Sequence, residues 1–348
     1  MSIHILLIKY TIIIPTCNKD LVERCLFYIS QLNIPKFNYE VLVVHNVTKD
    51  DIKSVIDNYL IKIPNLRYIY EEKYGQMSSR HRGAIEARGD ILCFLDDDSF
   101  VNKNWLIEIE KTFSNNNVVL SGGNNLPLFE SPPPKWLKYF WIKDEYGKWM
   151  GELSLINFRN RKLMLPAWFA FGCNIIIKKE IFFKLGGTNP DVVPKDKQRF
   201  QGDGETGLSL KLNEKGFYLN FNSKIKIYHF VSTSRMTLDY FKKRAFYQGV
   251  CDSFSKIRKE NGFNYYNIGS IINKKSNFLI SKINNILMRY YNKMNNIIKK
   301  YNPYYIEYLN VKSEYNKSYN EGFEFHQNEV KNDPELFKWV LKENYLEI

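Results

Sequence analysis

The sequence predicts an α/β protein built on a mainly parallel sheet with helices on both faces. Two observations carry that expectation. Over the first ~125 residues, short apolar runs alternate with segments of helical spacing, the pattern left by parallel strands joined through crossover helices. The runs are also continuously apolar rather than alternating, as strands buried on both faces must be.

Taken in order, Tyr10–Pro15 (YTIIIP) is a β-branched run that reads as the first strand, led in by the apolar stretch from Ile3 to Lys9. Asp20–Leu32 has helical spacing, with Leu21, Cys25, Tyr28 and Ile29 on one side. Tyr39–His45 is a second buried strand, Asp50–Leu60 a helix, Leu66–Tyr70 a strand and Gln76–Arg88 a helix. Asp90–Leu95 is again strand, Lys103–Phe113 helix, and Val118–Ser121 closes the series. From Asn124 to Leu165 the pattern breaks. A Ser-Pro-Pro-Pro segment at 131–134 is followed by six aromatics between Trp136 and Trp149. This stretch reads as a long loop laid over the sheet, its aromatics either core or binding surface. Ala167–Lys178 reads as a strand, Lys179–Leu185 as a short helix stopped by Gly186-Gly187, and Phe200–Lys215 as a glycine-broken turn running into a helix. Phe217–Asn222 and Lys224–Phe230 are strand-like, Thr237–Lys259 is helical, and Phe278–Lys300 has the spacing of an amphipathic helix with a basic opposite face.

Composition narrows the classes. Of 348 residues, 44% are hydrophobic and 25% charged, which excludes bulk disorder. Five scattered cysteines form no C-x-x-C pair, which argues against a disulfide scaffold and for a reducing, cytoplasmic setting. No apolar run reaches the ~18 residues of a spanning helix. No G-x-G-x-x-G follows the first strand and no G-x-x-x-x-G-K-[ST] occurs, which disfavours dinucleotide and P-loop chemistry. Charge is uneven. Between Lys224 and Lys312 there are 17 Lys and Arg against four acids, a surplus equal to the net +13 of the whole chain. From Ser313 onward eight acids face four lysines. The basic stretch suits either an anionic surface or a solvated face.

The polar residues cluster at the carboxyl ends of the expected strands: Pro15-Thr16-Cys17-Asn18, His45-Asn46 and Asp96-Asp97-Asp98. Ligands of open α/β sheets bind at that edge. Three adjacent carboxylates ending a buried strand are costly unless a cation or donors offset them, and hard oxygen ligands suit Mg²⁺ or Mn²⁺. An acidic helix cap is the other reading. Asp203 and Glu205 in their glycine-broken turn can cap the helix or act as a general base. His229 ends a strand, as a structural residue or a ligand. Arg80, His81 and Arg82 suit a diphosphate, or pair with Glu86 or Glu72.

Four motifs in this order resemble the family 2 glycosyltransferases, which have the GT-A fold. They are TIIIPTCN, SSRHRGAIEARGDILCFLDDD, FGCNIIIKKE and GDGETGLSLKL. The resemblance runs from about Tyr10 to Gly249, and the later YHF and RAFYQG have counterparts in it. It implies a GT-A-type twisted sheet flanked by helices, with a helical, basic C-terminal extension. The catalytic domain would span 1–235, with 1–123 as its nucleotide-sugar half and 124–235 as its acceptor half. A helical region, 236–348, would follow, basic to about 312 and then acidic. Pro15, Thr16, Asn18, His45, Asn46, Arg80, Asp96 and Asp97 would bind the nucleotide sugar. Asp96, Asp98 and His229 would hold Mn²⁺ or Mg²⁺. Glu205 would be the catalytic carboxylate, with Asp203 the nearby alternative. Trp136, Trp168 and Asn174 would contact the acceptor. The family's Asp after the second strand is His45 here, and its Asn after Arg80 is His81.

The function this implies is inverting, metal-dependent transfer of a sugar from a nucleotide diphosphate sugar to an acceptor hydroxyl, in surface glycan or glycoconjugate assembly. The acceptor would be a glycan, a lipid-linked group or a protein, with residues 224–312 as a possible peripheral membrane contact. The competing classes are a sugar-nucleotide-binding or nucleotidyl-transferring enzyme, the latter of which would carry a basic glycine-rich loop after the first strand, and a nucleic-acid-binding module, for which there is no recognition motif. No nucleic acid is expected as a partner.

Overall fold

The computed structural model describes residues 8–33, 38–63, 65–159, 162–263 and 301–346. The expected lead-in before residue 8 and the expected helix over 278–300 lie outside them. The strands are β1 (Ile8–Thr16), β2 (Asn38–Asn46), β3 (Leu66–Glu71), β4 (Ile91–Leu95), β5 (Ser99–Val101), β6 (Leu120–Gly122) and β7 (Asn125–Phe129). They continue with β8 (Ile142–Lys143), β9 (Gly147–Met150), β10 (Leu155–Phe158), β11 (Lys162–Leu165), β12 (Asn174–Lys178), β13 (Leu219–Asn222) and β14 (Ile227–Val231). The helices are α1 (Lys19–Ser30), α2 (Ile52–Tyr59), α3 (Gln76–Glu86), α4 (Trp105–Phe113), α5 (Lys179–Lys184), α6 (Gly204–Glu214), α7 (Leu238–Glu260), α8 (Pro303–Asn332) and α9 (Pro334–Leu341).

The main sheet has the order β11-β13-β6-β12-β4-β1-β2-β3. Pairings β1–β2, β1–β4, β2–β3 and β6–β13 are parallel. β12 runs antiparallel between β4 and β6, and β11 antiparallel to β13. The mainly parallel sheet flanked by helices is therefore present. Both faces of its centre are covered. Ile12, Ile14, Val41 and Val43 belong to one apolar cluster, and Ile13, Leu42 and Val44 to the other. This explains why β1 and β2 read as unbroken apolar runs.

Two expectations are corrected. The stretch 124–165 is not a loop. It supplies β7 to β11, and most of these join β5 and β14 in a second sheet of order β5-β14-β7-β10-β9-β8. These strands are two to five residues long, too short for an alternating pattern to register. The strand expected over 167–178 starts only at Asn174. Residues 167–169 form a 3₁₀ turn that docks on α6, with Ala167 N donating to Asn213 Oδ1 at 3.0 Å and Ser209 Oγ to Ala167 O at 3.1 Å.

The C-terminal helices share the core of the rest. Trp136, Leu137, Phe140, Met150 and Val231 pack with Phe241 of α7 and Val311 of α8. Trp339 Nε1 donates to Phe200 O at 3.1 Å, and Arg258 of α7 donates to Val340 O at 2.6 Å and Lys342 O at 2.7 Å. The five cysteines are free thiols. No described helix is long and apolar enough to cross a membrane.

α7 and α8 meet through two glycines. A Cβ on Gly249 would stand 2.1 Å from Tyr319 O, and one on Gly322 would stand 2.0 Å from Phe246 O. Backbone on both sides leaves no side chain to yield. Gly249→Ala or Gly322→Ala should therefore lower unfolding free energy by about 1–3 kcal/mol. A urea melt would show this as a lower midpoint at unchanged slope; an unchanged midpoint would contradict the packing.

Candidate active site

A cleft of about 440 Å³ opens at the carboxyl ends of β1, β2 and β4. Its floor is Asp96–Asp98, the three residues that leave β4. Each carboxylate is turned to a different partner. Asp96 Oδ1 accepts from Gln76 Nε2 at 3.0 Å and Arg80 Nη2 at 2.8 Å. Gln76 and Arg80 stand one helical turn apart on α3, so both reach the same oxygen. Asp97 Oδ2 accepts from Thr16 Oγ1 at 2.6 Å. Asp98 Oδ2 accepts from Arg235 Nη1 at 2.8 Å. Burial and then Asp98 push the Asp97 carboxyl up to about 8. Burial also raises Asp98, but His229 and Arg235 outweigh it and leave that carboxyl below its ordinary value.

The strand register delivers His229. β14 pairs with β5 so that His229 lies opposite Ser99, and Phe230 N donates to Asp98 O at 2.8 Å. His229 Nδ1 is 2.9 Å from Leu153 O. A carbonyl only accepts, so Nδ1 carries a proton and Nε2 faces Asp98 Oδ1 at 3.2 Å. That oxygen is buried, and beyond this contact it has no hydrogen-bond partner. A nitrogen and a carboxylate oxygen converging in this way suit a divalent cation. Among the described residues no group of three or more His, Cys, Asp or Glu side chains could hold a metal. A cation at this pair would take two ligands from the chain and the rest from substrate, the pattern Mg²⁺ and Mn²⁺ take with diphosphates. Asp96 Oδ1 is already committed to Gln76 and Arg80.

The opposite wall is the start of α6. Glu205 lines the cleft, and Arg80 Nη1 lies 3.6 Å from its Oε2. Arg80 itself is buried, at 4% exposed. Burial opposes its charge, but Asp96 and Glu205 more than offset this and raise its basicity. Its guanidinium lies over Gly172, where a Cβ would stand 2.6 Å from Nη2. Asp203 does not line the cleft. It is buried and accepts from Asn189 Nδ2 at 2.7 Å and Ser255 Oγ at 2.6 Å. Gly204, between the two acids, has φ +54°, and its missing Cβ leaves room for the carboxylate of Asp191, 2.6 Å from that position. Burial, then Glu205, push the Asp191 carboxyl up to about 7.

The remaining expected residues divide. Pro15, Thr16 and Asn46 line the cleft. Asn46 also fixes the turn before α3, accepting from Gly75 N at 2.9 Å and donating to Lys73 O at 2.7 Å. Asn18 caps α1, accepting from Leu21 N at 3.0 Å. His45 is buried against Tyr68, with Nδ1 2.7 Å from its hydroxyl. Trp136 is buried against Phe140 and Phe241. Trp168 is half-buried in the 3₁₀ turn beside Phe169. Asn174 is buried, accepting from Trp105 Nε1 at 3.0 Å and donating to Asn125 Oδ1 at 3.1 Å. None of these last five lines the cleft. Gln76, Glu152, Asp191, Arg235, Tyr240 and Arg244 do, and sequence reading named none of them as a site residue. Arg244 heads the RAFYQG motif, and Gln76 left a trace in its four-residue spacing from Arg80.

Asp97 gives a pH test. Its folded value lies above the ordinary aspartate value of about 3.9, so its contribution to stability is full below that value and is lost as pH rises through about 8. With chelator present, the wild type should lose stability relative to Asp97→Asn between pH 5 and 8, by at most about 1.4 kcal/mol per pH unit. Above that range the gap should level off. A gap that does not change with pH would refute the assignment.

Comparison with known proteins agrees with this architecture. Residues 11–186 match the family description "Glycosyl transferase family 2". The chain is 34% identical over 116 residues to glycosyltransferase AglE of Haloferax volcanii, a stretch covering 33% of this chain and 38% of that one. It is 24% identical over 216 residues to the glucosyl-dolichyl phosphate glucuronosyltransferase of the same organism, covering 60% and 65%. The chain thus spans less than two thirds of the length of either relative. Among solved structures, mannosyltransferase PcManGT from Pyrobaculum calidifontis, in complex with GDP-Man and Mn²⁺, superposes with a TM-score of 0.50 at 18% identity, covering 69% of this chain and 62% of that one. On the family match and the fold together, the chain belongs to glycosyl transferase family 2 and has the GT-A architecture.

Proposed function

We propose that this family 2 glycosyltransferase moves one sugar from a nucleotide diphosphate sugar to an acceptor hydroxyl, with inversion and with Mn²⁺ or Mg²⁺, in surface glycan or glycoconjugate assembly. One observation carries the reading. A single cleft holds both Glu205 and the Asp98–His229 pair, with Arg80 reaching 2.8 Å to Asp96 on one side and 3.6 Å to Glu205 on the other. Residues 1–123 supply the donor side through Pro15, Thr16, Asn46, Arg80 and Asp96–Asp98. Residues 124–235 supply Glu205 and His229.

Glu205 takes the proton of the acceptor hydroxyl. The hydroxyl oxygen bonds to the anomeric carbon from the face opposite the diphosphate, and the diphosphate leaves with the bonding electrons. Asp98 and His229 would hold a divalent cation, which would supply electrostatic stabilisation of that leaving group. Arg80 adds fixed positive charge beside it. Glu205 has a side chain 27% exposed, open enough to meet an incoming hydroxyl. Asp191, Glu152 and Arg244 line the same cleft and offer acceptors and a donor to further hydroxyls of the acceptor.

The curated relatives support a lipid-linked acceptor, one being named a glucosyl-dolichyl phosphate glucuronosyltransferase. We propose that the basic stretch 224–312 meets the surface holding such an acceptor. Its described part exposes Tyr301, Ile306 and Leu309, and amphipathic basic segments bind anionic interfaces. The full chain should float with anionic phosphatidylserine vesicles at low salt and be released by high salt. Absence of flotation at low salt would end that part of the proposal.

For the chemistry, Glu205→Gln should lower transfer at least ~10³-fold, within the range of a lost general base combined with lost alignment. Donor affinity measured by calorimetry should stay within a few-fold. Wild-type turnover in this variant would remove Glu205 from the mechanism.

A further inference from the structure

We propose that Arg235 is a built-in competitor of the divalent cation, so that metal enters readily only together with the diphosphate that takes over the released guanidinium. This rests on the metal-dependent reading above. Arg235 lies in the short 3₁₀ turn Thr233–Met236 between β14 and α7. Its Nη1 is 2.8 Å from Asp98 Oδ2 and 3.5 Å from His229 Nε2. These are the two side chains that would ligate a cation. A metal taken by Asp98 Oδ1 and His229 Nε2 at ~2.0–2.2 Å would stand beside a guanidinium nitrogen that holds the other oxygen of the same carboxylate and lies 3.5 Å from the same Nε2. Repulsion of like charges at that range opposes their coexistence.

Tyr240 helps to hold the arginine on Asp98. The arginine Nε donates to Tyr240 Oη at 3.1 Å, and the guanidinium lies 5.6 Å from the centre of that ring. Metal arriving alone would strand a positive charge in a half-buried cleft, where its side chain is 22% exposed. Metal arriving with a diphosphate brings anionic oxygens that pair with the freed guanidinium. Coupling of this kind is reciprocal: nucleotide tightens metal, and metal tightens nucleotide. Arg80 cannot play this part, being held by Asp96 and facing Glu205. Arg235 is thus a positioning residue, acting through Asp98.

The test is Mn²⁺ binding to the full chain, followed by loss of the free-ion paramagnetic resonance signal, without nucleotide and with UDP or GDP in separate arms. Arg235→Met should bind Mn²⁺ alone about tenfold more tightly than the wild type, the scale of one partly exposed ion pair removed. The added tightening given by UDP or GDP should shrink by a similar factor. A purely structural role would weaken both and could not produce opposite signs. Tyr240→Phe keeps the charge and removes the tether. It should shift Mn²⁺ affinity the same way by about two- to threefold, and it decides the matter should the methionine variant not fold. Equal Mn²⁺ affinity in the wild type and the variants overturns the competition and leaves the metal site standing. No Mn²⁺ binding by any of them, with or without either nucleotide, overturns the metal-dependent reading and this inference with it.

Discussion

Three adjacent carboxylates can share the end of one buried strand only if each is answered separately, and the rest of the cleft follows from how that is done. Asp96 is answered from α3, Asp97 from the end of β1, and Asp98 from β14 and the turn beyond it. The partners come from residues 16, 76, 80, 229 and 235. The aspartates are therefore a fastening point at which both sheets and the first turn of α3 converge. Removing a single partner leaves a partly buried aspartate unanswered, which costs more than losing an exposed pair would. This makes the arrangement stiff as well as polar.

Arg80 shows how the stiffness reaches the opposite wall. Its guanidinium is walled in on one side by Gly172, on the turn that enters β12. From there it spans Asp96 and Glu205 at 2.8 and 3.6 Å. The distance between the strand-end carboxylates and Glu205 is thus set by one buried side chain. The position of Arg80 depends in turn on Asn46, which ties Gly75 at the start of α3 to the end of β2. A chain of contacts from β2 through α3 to α6 aligns the two halves of the cleft, each link buried or half-buried.

Much of this was legible in the sequence, for definite reasons. Strands β1, β2 and β4 announced themselves because burial on both faces leaves nothing but apolar residues. Asp96–Asp98 stood out because acids are rarely placed where such a strand ends. The glycine-broken turn offered Asp203 and Glu205 alike, and only the family resemblance put Glu205 first; in the structure Glu205 lines the cleft and Asp203 is buried against Asn189 and Ser255. The second sheet was not legible, since strands of two to five residues take their stability from partners remote in sequence. Arg235 and Asp191 were invisible for a related reason. Both sit in irregular segments, and only the register of β14 and the turn before α6 bring them to the cleft. Trp136 misled because aromatics after a proline run look alike whether they cover a ligand or, as here, fill a core with Phe140 and Phe241.

The charge of the cleft ties these observations to its chemistry. Six carboxylates line it, from Asp96–Asp98, Glu152, Asp191 and Glu205, against the three arginines Arg80, Arg235 and Arg244. A diphosphate entering such a lining would meet net repulsion. Burial relieves part of this, since Asp97 is pushed up to about 8 and Asp191 to about 7, so both hold protons for much of the time near neutrality. Arg80 and Arg235 neutralise part of the remainder through Asp96 and Asp98. What they neutralise they cannot also offer to a diphosphate. Binding a dianion here therefore needs either an added cation or the release of an arginine from its aspartate. A cation on Asp98 would do both at once, bringing positive charge and, as proposed above, releasing Arg235.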